Sequence, residues 1–183
     1  MSVMMAVRKG GVVAVAADSL WTSGWDKSHR VQPKVTVSKQ AHVIMSVGPS
    51  GGRELVTQKY LLDMIEEHGD AWPDEWPLFC MSQDSDHAIT KVAKADATGI
   101  IVAYKMRLFE LWPNGGVFES ADDVIAIGCG GDFAVGAANV LMKQYKSARY
   151  IAERACLAAC NLSAGCEEPI VVETMTPVNS GAE

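Results

Sequence analysis

The first residues of the chain include a serine whose chemistry depends on the residue before it. Removal of Met1 would leave Ser2 with a hydroxyl group and a free α-amino group. A serine hydroxyl is a weak nucleophile unless a base accepts its proton, and an α-amine with a pKa of about 8 can be that base. Serine often follows an initiator methionine, so this interpretation depends on residues further along the chain.

Two predicted hairpins would bring three more polar or turn-forming residues towards Ser2. Two apolar runs separated by a glycine turn predict a β-hairpin that returns Asp18 to the same end as Ser2. A second hairpin is predicted over residues 33–48, with Lys34 near its start and Gly48 at its end. Taken singly, these residues are explained as a strand end, a solvated charge and a turn. Their combined order and spacing carry the functional argument.

This order and spacing resemble those of proteasome β subunits and the related bacterial HslV protease. In that family an N-terminal Thr, an Asp, a Lys and a Gly form the active site. Their separations match Ser2, Asp18, Lys34 and Gly48 without a gap. Residues 122–134 extend the resemblance, with a strand and a glycine-rich turn leading into a helix, and this segment is more similar to HslV.

The resemblance implies a catalytic role for each matched residue. The Ser2 hydroxyl would attack a peptide carbonyl while its own amine takes the proton. Lys34, held charged by Asp18, would lower the pKa of that hydroxyl, and the Gly48 N–H would stabilise the oxyanion. Cys129 stands where the family has a Ser near the terminal amine, and Ser2 itself replaces the usual Thr.

The same resemblance implies substrate-binding residues and partners. Thr22 and Ser50 match positions whose backbone pairs with the substrate as an added strand. Trp21, Gln32 and Ser46 match positions of the specificity pocket. The implied substrate is a peptide or unfolded protein, no cofactor or metal is needed, and the implied assembly is a homo-oligomeric ring of about six or seven subunits that an ATPase unfoldase could feed.

Other interpretations of the sequence remain open. Residues 48–52 read Gly-Pro-Ser-Gly-Gly, a G-x-S-x-G pattern in which Ser50 would be the nucleophile of a serine hydrolase, with His68 or His87 as base. The hairpin pattern opposes it, because that pattern belongs between a parallel strand and a helix. A second alternative is a catalytically inactive, ring-forming homologue. A nucleotide site at the glycine-rich turn of residues 128–131 is weaker, since no βαβ unit surrounds it.

Composition indicates one globular domain over residues 1–183. The net charge is −6 and Lys and Arg are not clustered, which argues against a nucleic-acid partner. We find no targeting segment and no apolar run near the roughly 20 residues of a membrane span, so we expect a cytoplasmic protein without membrane contact. An odd number of cysteines, five, suggests reduced thiols, and Cys156, Cys160 and Cys166 fit no zinc pattern.

The predicted elements indicate an α+β fold with antiparallel sheets, and the resemblance implies a four-layer αββα sandwich. Helices are predicted at residues 53–68, 133–145 and 148–162, with Phe133, Ala137, Val140 and Leu141 on the apolar face of the second. Strands are predicted at residues 100–104, 108–112, 117–118 and 169–174. Residues 19–32 are predicted to be a polar segment, 70–86 loop-like with at most one short helix, and 175–183 a frayed tail.

Overall fold

The computed structural model describes residues 2–23, 26–29, 34–38, 43–47, 54–81, 99–112 and 114–177. In chain order the strands are β1 (Met4–Lys9), β2 (Val12–Asp18), β3 (Leu20–Ser23), β4 (Asp26–His29), β5 (Val35–Val37), β6 (Val43–Val47), β7 (Ile100–Tyr104), β8 (Arg107–Leu111), β9 (Val117–Ser120), β10 (Val124–Ile127) and β11 (Ile170–Met175). The α-helices are α1 (Glu54–His68), α2 (Trp72–Met81), α3 (Gly131–Gln144) and α4 (Ala148–Leu162), and a 3-10 turn, Gly69–Ala71, joins the first two.

The first sheet has the strand order β10-β1-β2-β11, and all of its pairings are antiparallel. Gly10 and Gly11 connect β1 to β2 with φ angles of +61° and +73°. A two-residue hairpin turn with both central φ angles positive matches the twist of the strands, and glycine adopts it without steric cost. The register pairs Met4 with Ala17, so Asp18 lies at the end of the sheet where Ser2 enters β1. The first predicted hairpin is confirmed.

The second sheet has the order β5-β6-β7-β8-β9 and is also antiparallel throughout. Its β5–β6 pair confirms the second predicted hairpin, and Lys34 lies immediately before β5. A separate two-stranded sheet, β3–β4, lies in sequence between β2 of the first sheet and β5 of the second. The predicted α+β class with antiparallel sheets is therefore confirmed.

The central strands of both sheets are buried on both faces, and the period-2 alternation of side chains explains how. In β1, Met5 and Val7 pack against α3 and α4, whereas Met4 and Ala6 face the second sheet. In β7, Val102 packs towards α1 and α2, while its neighbours in sequence contact the first sheet. Fully burying each of the Met and Val side chains contributes about 1.5–3 kcal/mol, so these strands anchor the residues at their ends.

Small residues let α4 lie close to the first sheet. Its buried face consists of Ala148, Ile151, Ala152, Ala155, Cys156 and Ala159. The Ser147 hydroxyl caps the helix by accepting a hydrogen bond from the Tyr150 N–H. Cys156 and Cys166 are buried and Cys160 is partly buried, so their interpretation as small core residues fits the structure.

Two segments contain more regular structure than the sequence indicated. The polar stretch of residues 19–32 contains β3 and β4. The stretch predicted to be loop-like is mostly α2, in which Trp72 and Trp76 lie one turn apart and are almost fully buried. Pro73 lies in the first turn of this helix, where its missing N–H costs no hydrogen bond. The proline after each tryptophan indicated a loop, although the two tryptophans form the buried face of a helix.

The apolar face predicted for α3 is correct only in part. Ala137 and Leu141 pack against the core as predicted. Phe133 and Val140 are instead exposed to 43% and 57%, and the buried residues are Gly131, Ala134 and Ala138. These small residues permit close packing of α3 on the first sheet. Met175, predicted to begin the tail, is the buried last residue of β11, and residues 178–183 lie outside the described part of the chain.

Within the described part of the chain, none of the helices is both long and apolar enough to cross a membrane.

Candidate active site

Three of the predicted catalytic residues meet where the first sheet ends. The Ser2 Oγ donates a hydrogen bond to Asp18 Oδ1 at 2.5 Å, and Lys34 Nζ donates to Ser2 Oγ at 2.8 Å. Lys34 Nζ also lies 2.8 Å from Asp18 Oδ1. All three residues are at most 2% exposed. The hydroxyl is therefore held between a carboxylate and an ammonium group in a site shielded from water.

The hydrogen bonds of Lys34 define its chemical state. Its Nζ has three acceptors: Ser2 Oγ, Asp18 Oδ1 and the Leu20 carbonyl oxygen at 2.7 Å. An ammonium group has three N–H donors and no lone pair, so these contacts match the charged form completely. Gln58 of α1 donates to the Lys34 carbonyl oxygen at 3.1 Å and fixes its backbone. Lys34 can stabilise negative charge on Ser2 Oγ but is not arranged to accept its proton.

Asp18 accepts hydrogen bonds from several parts of the chain. Its Oδ1 receives Ser2 Oγ, Lys34 Nζ and the Val3 N–H, while its Oδ2 receives the backbone N–H groups of Leu20 and Glu167. A carboxylate offers about four lone-pair positions, and here they are all engaged. Asp18 is thus a fixed, charged partner that orients the serine and the lysine.

The turn between β10 and α3 holds the backbone of Ser2. The Gly130 N–H donates to the Ser2 carbonyl oxygen at 3.2 Å, and Cys129 Sγ lies 3.4 Å from the same oxygen. Gly128 has a φ of +100°, and a Cβ added there would lie 2.3 Å from that oxygen. Glycine at this position therefore lets the turn approach the first residue of the site.

We expect Gly128→Ala to lower the free energy of unfolding by about 2 kcal/mol or more and to reduce any activity that depends on Ser2 by about 100-fold, because the added methyl displaces the Ser2 backbone. The matched control is Gly136→Ala in α3, where an added Cβ meets no atom within 4 Å. That control should stabilise the protein by about 1 kcal/mol through helix propensity. Chemical denaturation of both variants checks the pair, and equal effects would contradict the assigned role of Gly128.

Cys129 and its neighbours form a small thiol cluster beside the site. Ser163 Oγ donates to Cys129 Sγ at 3.5 Å, and the sulfur of Cys166 lies 3.8 Å from that of Cys129. Burial raises the pKa of the Cys129 thiol, but the hydrogen bond from Ser163 is among the contacts that reverse this effect and set the pKa below its usual value. Burial raises the pKa of Cys166 to about 12. The predicted proximity of Cys129 to the first residues is present in the structure.

The predicted substrate-binding residues are placed only in part. Trp21 is 5% exposed, and Lys34 Nζ lies 5.8 Å from the centre of its ring. Thr22 lies in β3 opposite Lys27, and Ser46 lies in β6 opposite Val35, the residue after Lys34. Gln32, Gly48 and Ser50 lie outside the described residues, as does the alternative base His87, so their predicted roles stay predictions.

Several residues outside the predicted set complete the site. The Leu20 carbonyl oxygen, the Glu167 N–H and the Gln58 side chain act through single hydrogen bonds at positions with no compositional signal. Ser163 and Cys166 come from the loop after α4. Sequence spacing from Ser2 could not find these contacts, because they depend on how β11 pairs with β2 in the first sheet and on how α1 packs against the second sheet.

Among the residues that the structure describes, no group of three or more metal-ligating side chains converges on one point.

Several solved structures are similar to this chain over nearly its whole length. No family model matches the chain. The solved structures similar to it include HslV from Trypanosoma brucei, with a TM-score of 0.79 and 24% identity over 95% of this chain and 99% of that one. BPH from Thiobacillus denitrificans has a TM-score of 0.76 and 16% identity over 97% and 100% of the two chains. BPH in complex with epoxomicin has a TM-score of 0.69 and 18% identity over 95% and 98%.

These similarities cover nearly the full length of both chains, so they establish the fold of the described protein. The fold is HslV-like, as the resemblance in sequence implied.

Proposed function

We propose that this chain is an N-terminal nucleophile peptidase in which Ser2, exposed by removal of Met1, attacks the peptide bond. The observation that carries the proposal is the contact of Ser2 Oγ with both Lys34 Nζ and Asp18 Oδ1. The lysine places a positive charge on the hydroxyl oxygen, which lowers the cost of forming an alkoxide there. A buried position strengthens this effect because water does not screen the charge.

The hydrogen bonds argue against Lys34 as the base. Its three donors are directed at Ser2 Oγ, Asp18 Oδ1 and the Leu20 carbonyl oxygen, so it has no lone pair to take the hydroxyl proton. Asp18 Oδ1 accepts the hydrogen bond of the hydroxyl but is also paired with Lys34. In this proposal the Ser2 α-amine, freed by removal of Met1, is the base that takes the proton directly or through one water molecule. In the proposed cycle it accepts the proton during attack and returns it to the leaving amine, and the Gly48 N–H stabilises the oxyanion between these steps.

The fold weakens the alternative in which Ser50 is the nucleophile. A G-x-S-x-G elbow presents its serine between a parallel strand and a helix. Here β6, the strand before Ser50, pairs antiparallel with both β5 and β7. The described strands therefore lack the setting that this motif needs. The inactive-homologue alternative is decided by activity measurements.

We expect active protein to begin at Ser2, because the proposed base exists only after Met1 has been removed. Intact-mass measurement of purified protein identifies the processed form, and peptidase turnover should rise in proportion to its fraction. Because BPH is known in complex with epoxomicin, this compound is the chosen probe and should inhibit only the processed form. Full activity of protein that retains Met1 would contradict the assignment of the amine as base.

The packing supports a single domain with four layers, from α1 and α2 through the two sheets to α3 and α4. One apolar cluster lies between the sheets, and one lies between each sheet and its helices. In this proposal the domain assembles into a self-compartmentalised homo-oligomeric ring that admits peptides or unfolded proteins, with an ATPase unfoldase as partner. Large apolar side chains exposed on the outer helices support a subunit interface: Phe133, Val140, Tyr145, Tyr150 and Leu162.

We expect light scattering to give a closed assembly whose mass is a multiple of 19.6 kDa. The double variant Phe133→Glu/Val140→Glu should reduce that mass, because it places charge on an apolar contact surface. Asn139→Glu is the matched control, since it adds a charge at an exposed polar position on the same helix and should leave the mass unchanged. An active wild-type monomer would contradict the ring.

A further inference from the structure

Two thiols face each other across the turn that holds Ser2. Cys129 lies in the turn before α3, Cys166 lies in the loop after α4, and their sulfurs are 3.8 Å apart. Gly130 makes this approach possible, because a Cβ at that position would lie 2.7 Å from the Cys166 sulfur. The pair is therefore a defined feature of the packing between the two segments.

The two thiols differ in ways that suit sequential reactions. Cys129 is exposed and its sulfur accepts a hydrogen bond from Ser163 Oγ, which favours the thiolate that reacts with oxidants. Cys166 is 4% exposed, and burial raises the pKa of its thiol to about 12. An oxidant in solution thus reaches Cys129 first, while Cys166 is in contact with that sulfur and shielded from the solvent.

We propose that Cys129 and Cys166 form an oxidation site at which a hydroperoxide converts the thiol pair into a reversible disulfide. The Cys129 thiolate attacks a peroxide oxygen, the O–O bond breaks, and a sulfenic acid forms while hydroxide leaves and is protonated to water. The Cys166 sulfur then attacks the sulfenic sulfur. The S–S bond forms, the S–O bond breaks, and the oxygen leaves as a second water with the Cys166 proton. The two sulfurs supply the two electrons that reduce one hydrogen peroxide to two waters.

The disulfide would change the geometry around Ser2. A disulfide has an S–S length of about 2.0 Å, so the sulfurs must approach each other by nearly 2 Å. The segment of Cys129 holds the Ser2 carbonyl through the Gly130 N–H, and the segment of Cys166 holds Asp18 through the Glu167 N–H. Displacing catalytic groups by about 1 Å can lower a rate by about 100-fold. Oxidation should therefore reduce turnover, a consequence that rests on the proposed function, whereas the formation of the disulfide does not.

The test treats reduced protein with hydrogen peroxide, blocks the remaining thiols with N-ethylmaleimide, and maps peptides by mass spectrometry without reduction. We expect one link, between the peptides of Cys129 and Cys166, with the loss of two hydrogen atoms. Cys160→Ser is the control that should still form this link, whereas Cys129→Ser and Cys166→Ser should not. A link from Cys129 to Cys160, or over-oxidised Cys129 beside a Cys166 that remains alkylated, would overturn the proposal.

Turnover of the same samples tests the regulatory consequence. Wild-type peptidase activity should fall at least about tenfold on oxidation and return with dithiothreitol, whereas the activity of Cys166→Ser, compared with its own untreated sample, should fall much less under the same dose. A complete link with unchanged turnover would overturn the regulatory role. A reduced, processed wild type without any turnover would instead contradict the proposed function, and the peptide map would still decide whether the oxidation site exists.

Discussion

Replacing Ser2 with alanine is expected to lower the rate of peptide hydrolysis by at least about 10⁴-fold, because the variant has no oxygen to attack the carbonyl. The fold should survive the change. Asp18 loses the hydrogen bond from Ser2 Oγ but keeps its contacts with Lys34 Nζ and backbone N–H groups. Lys34 Nζ also loses Ser2 Oγ as an acceptor, and each of these two lost hydrogen bonds should cost about 1–3 kcal/mol of stability. Single-turnover kinetics on processed protein and a denaturation curve measure the two effects separately.

Two serine variants serve as controls for this experiment. Ser50→Ala should retain turnover if Ser2 is the nucleophile, whereas loss of turnover only in Ser50→Ala would favour the serine-hydrolase alternative. Ser2→Thr keeps the hydroxyl and the amine, so it should retain activity. A folded, oligomeric and correctly processed wild type without turnover would identify the chain as an inactive homologue.

Replacing Lys34 with methionine is expected to reduce turnover by at least about 10³-fold, since it removes the only side-chain cation in contact with Ser2 Oγ among the described residues. The structure also predicts a large loss of stability. Lys34 and Asp18 have fully buried side chains, so methionine would leave the carboxylate without a counter-charge, at a cost of about 3–5 kcal/mol. Steady-state kinetics below the lowered unfolding temperature keep the two effects distinct.

A double variant separates the contribution of Lys34 to stability from its contribution to the reaction. Asp18→Asn/Lys34→Met removes both charges, so it should regain most of the lost stability but no turnover. The control is Lys105→Met, which breaks a solvent-exposed ion pair with Asp70 and should leave stability nearly unchanged. Near wild-type turnover in Lys34→Met would contradict the proposed mechanism.

Local patterns in the sequence predicted the elements that depend on local physics. The hairpin from β1 to β2 followed from two apolar runs around Gly10 and Gly11, because the turn needs positive φ angles that glycine adopts freely. The bounds of α4 were predicted from its apolar period. The stretch that contains α2 was predicted to be mainly loop-like because Pro73 and Pro77 indicated a loop, whereas burial of Trp72 and Trp76 outweighs that preference.

For the candidate site, too, some features were predictable from the sequence and others only from the tertiary structure. The order and spacing of Ser2, Asp18, Lys34 and Gly48 produced the resemblance to HslV, and that resemblance implied the fold, whereas the hydrophobic pattern by itself indicated only an α+β class with antiparallel sheets. Only the tertiary structure decided that Lys34 contacts both other side chains and that its third donor reaches the Leu20 carbonyl. Such contacts depend on the distance between elements far apart in sequence, and that distance is determined by core packing rather than by any local preference.

The turn before α3 shows the same distinction at the level of single residues. The sequence determined that residues 128–131 form a glycine-rich turn leading into a helix. Only the tertiary structure shows why two of these residues must be glycine. Gly128 leaves space for the Ser2 carbonyl, and Gly130 leaves space for the Cys166 sulfur. The sequence shows that glycine at these positions is free to adopt unusual backbone angles. It does not show which atoms lie close to them, because those atoms belong to distant parts of the chain.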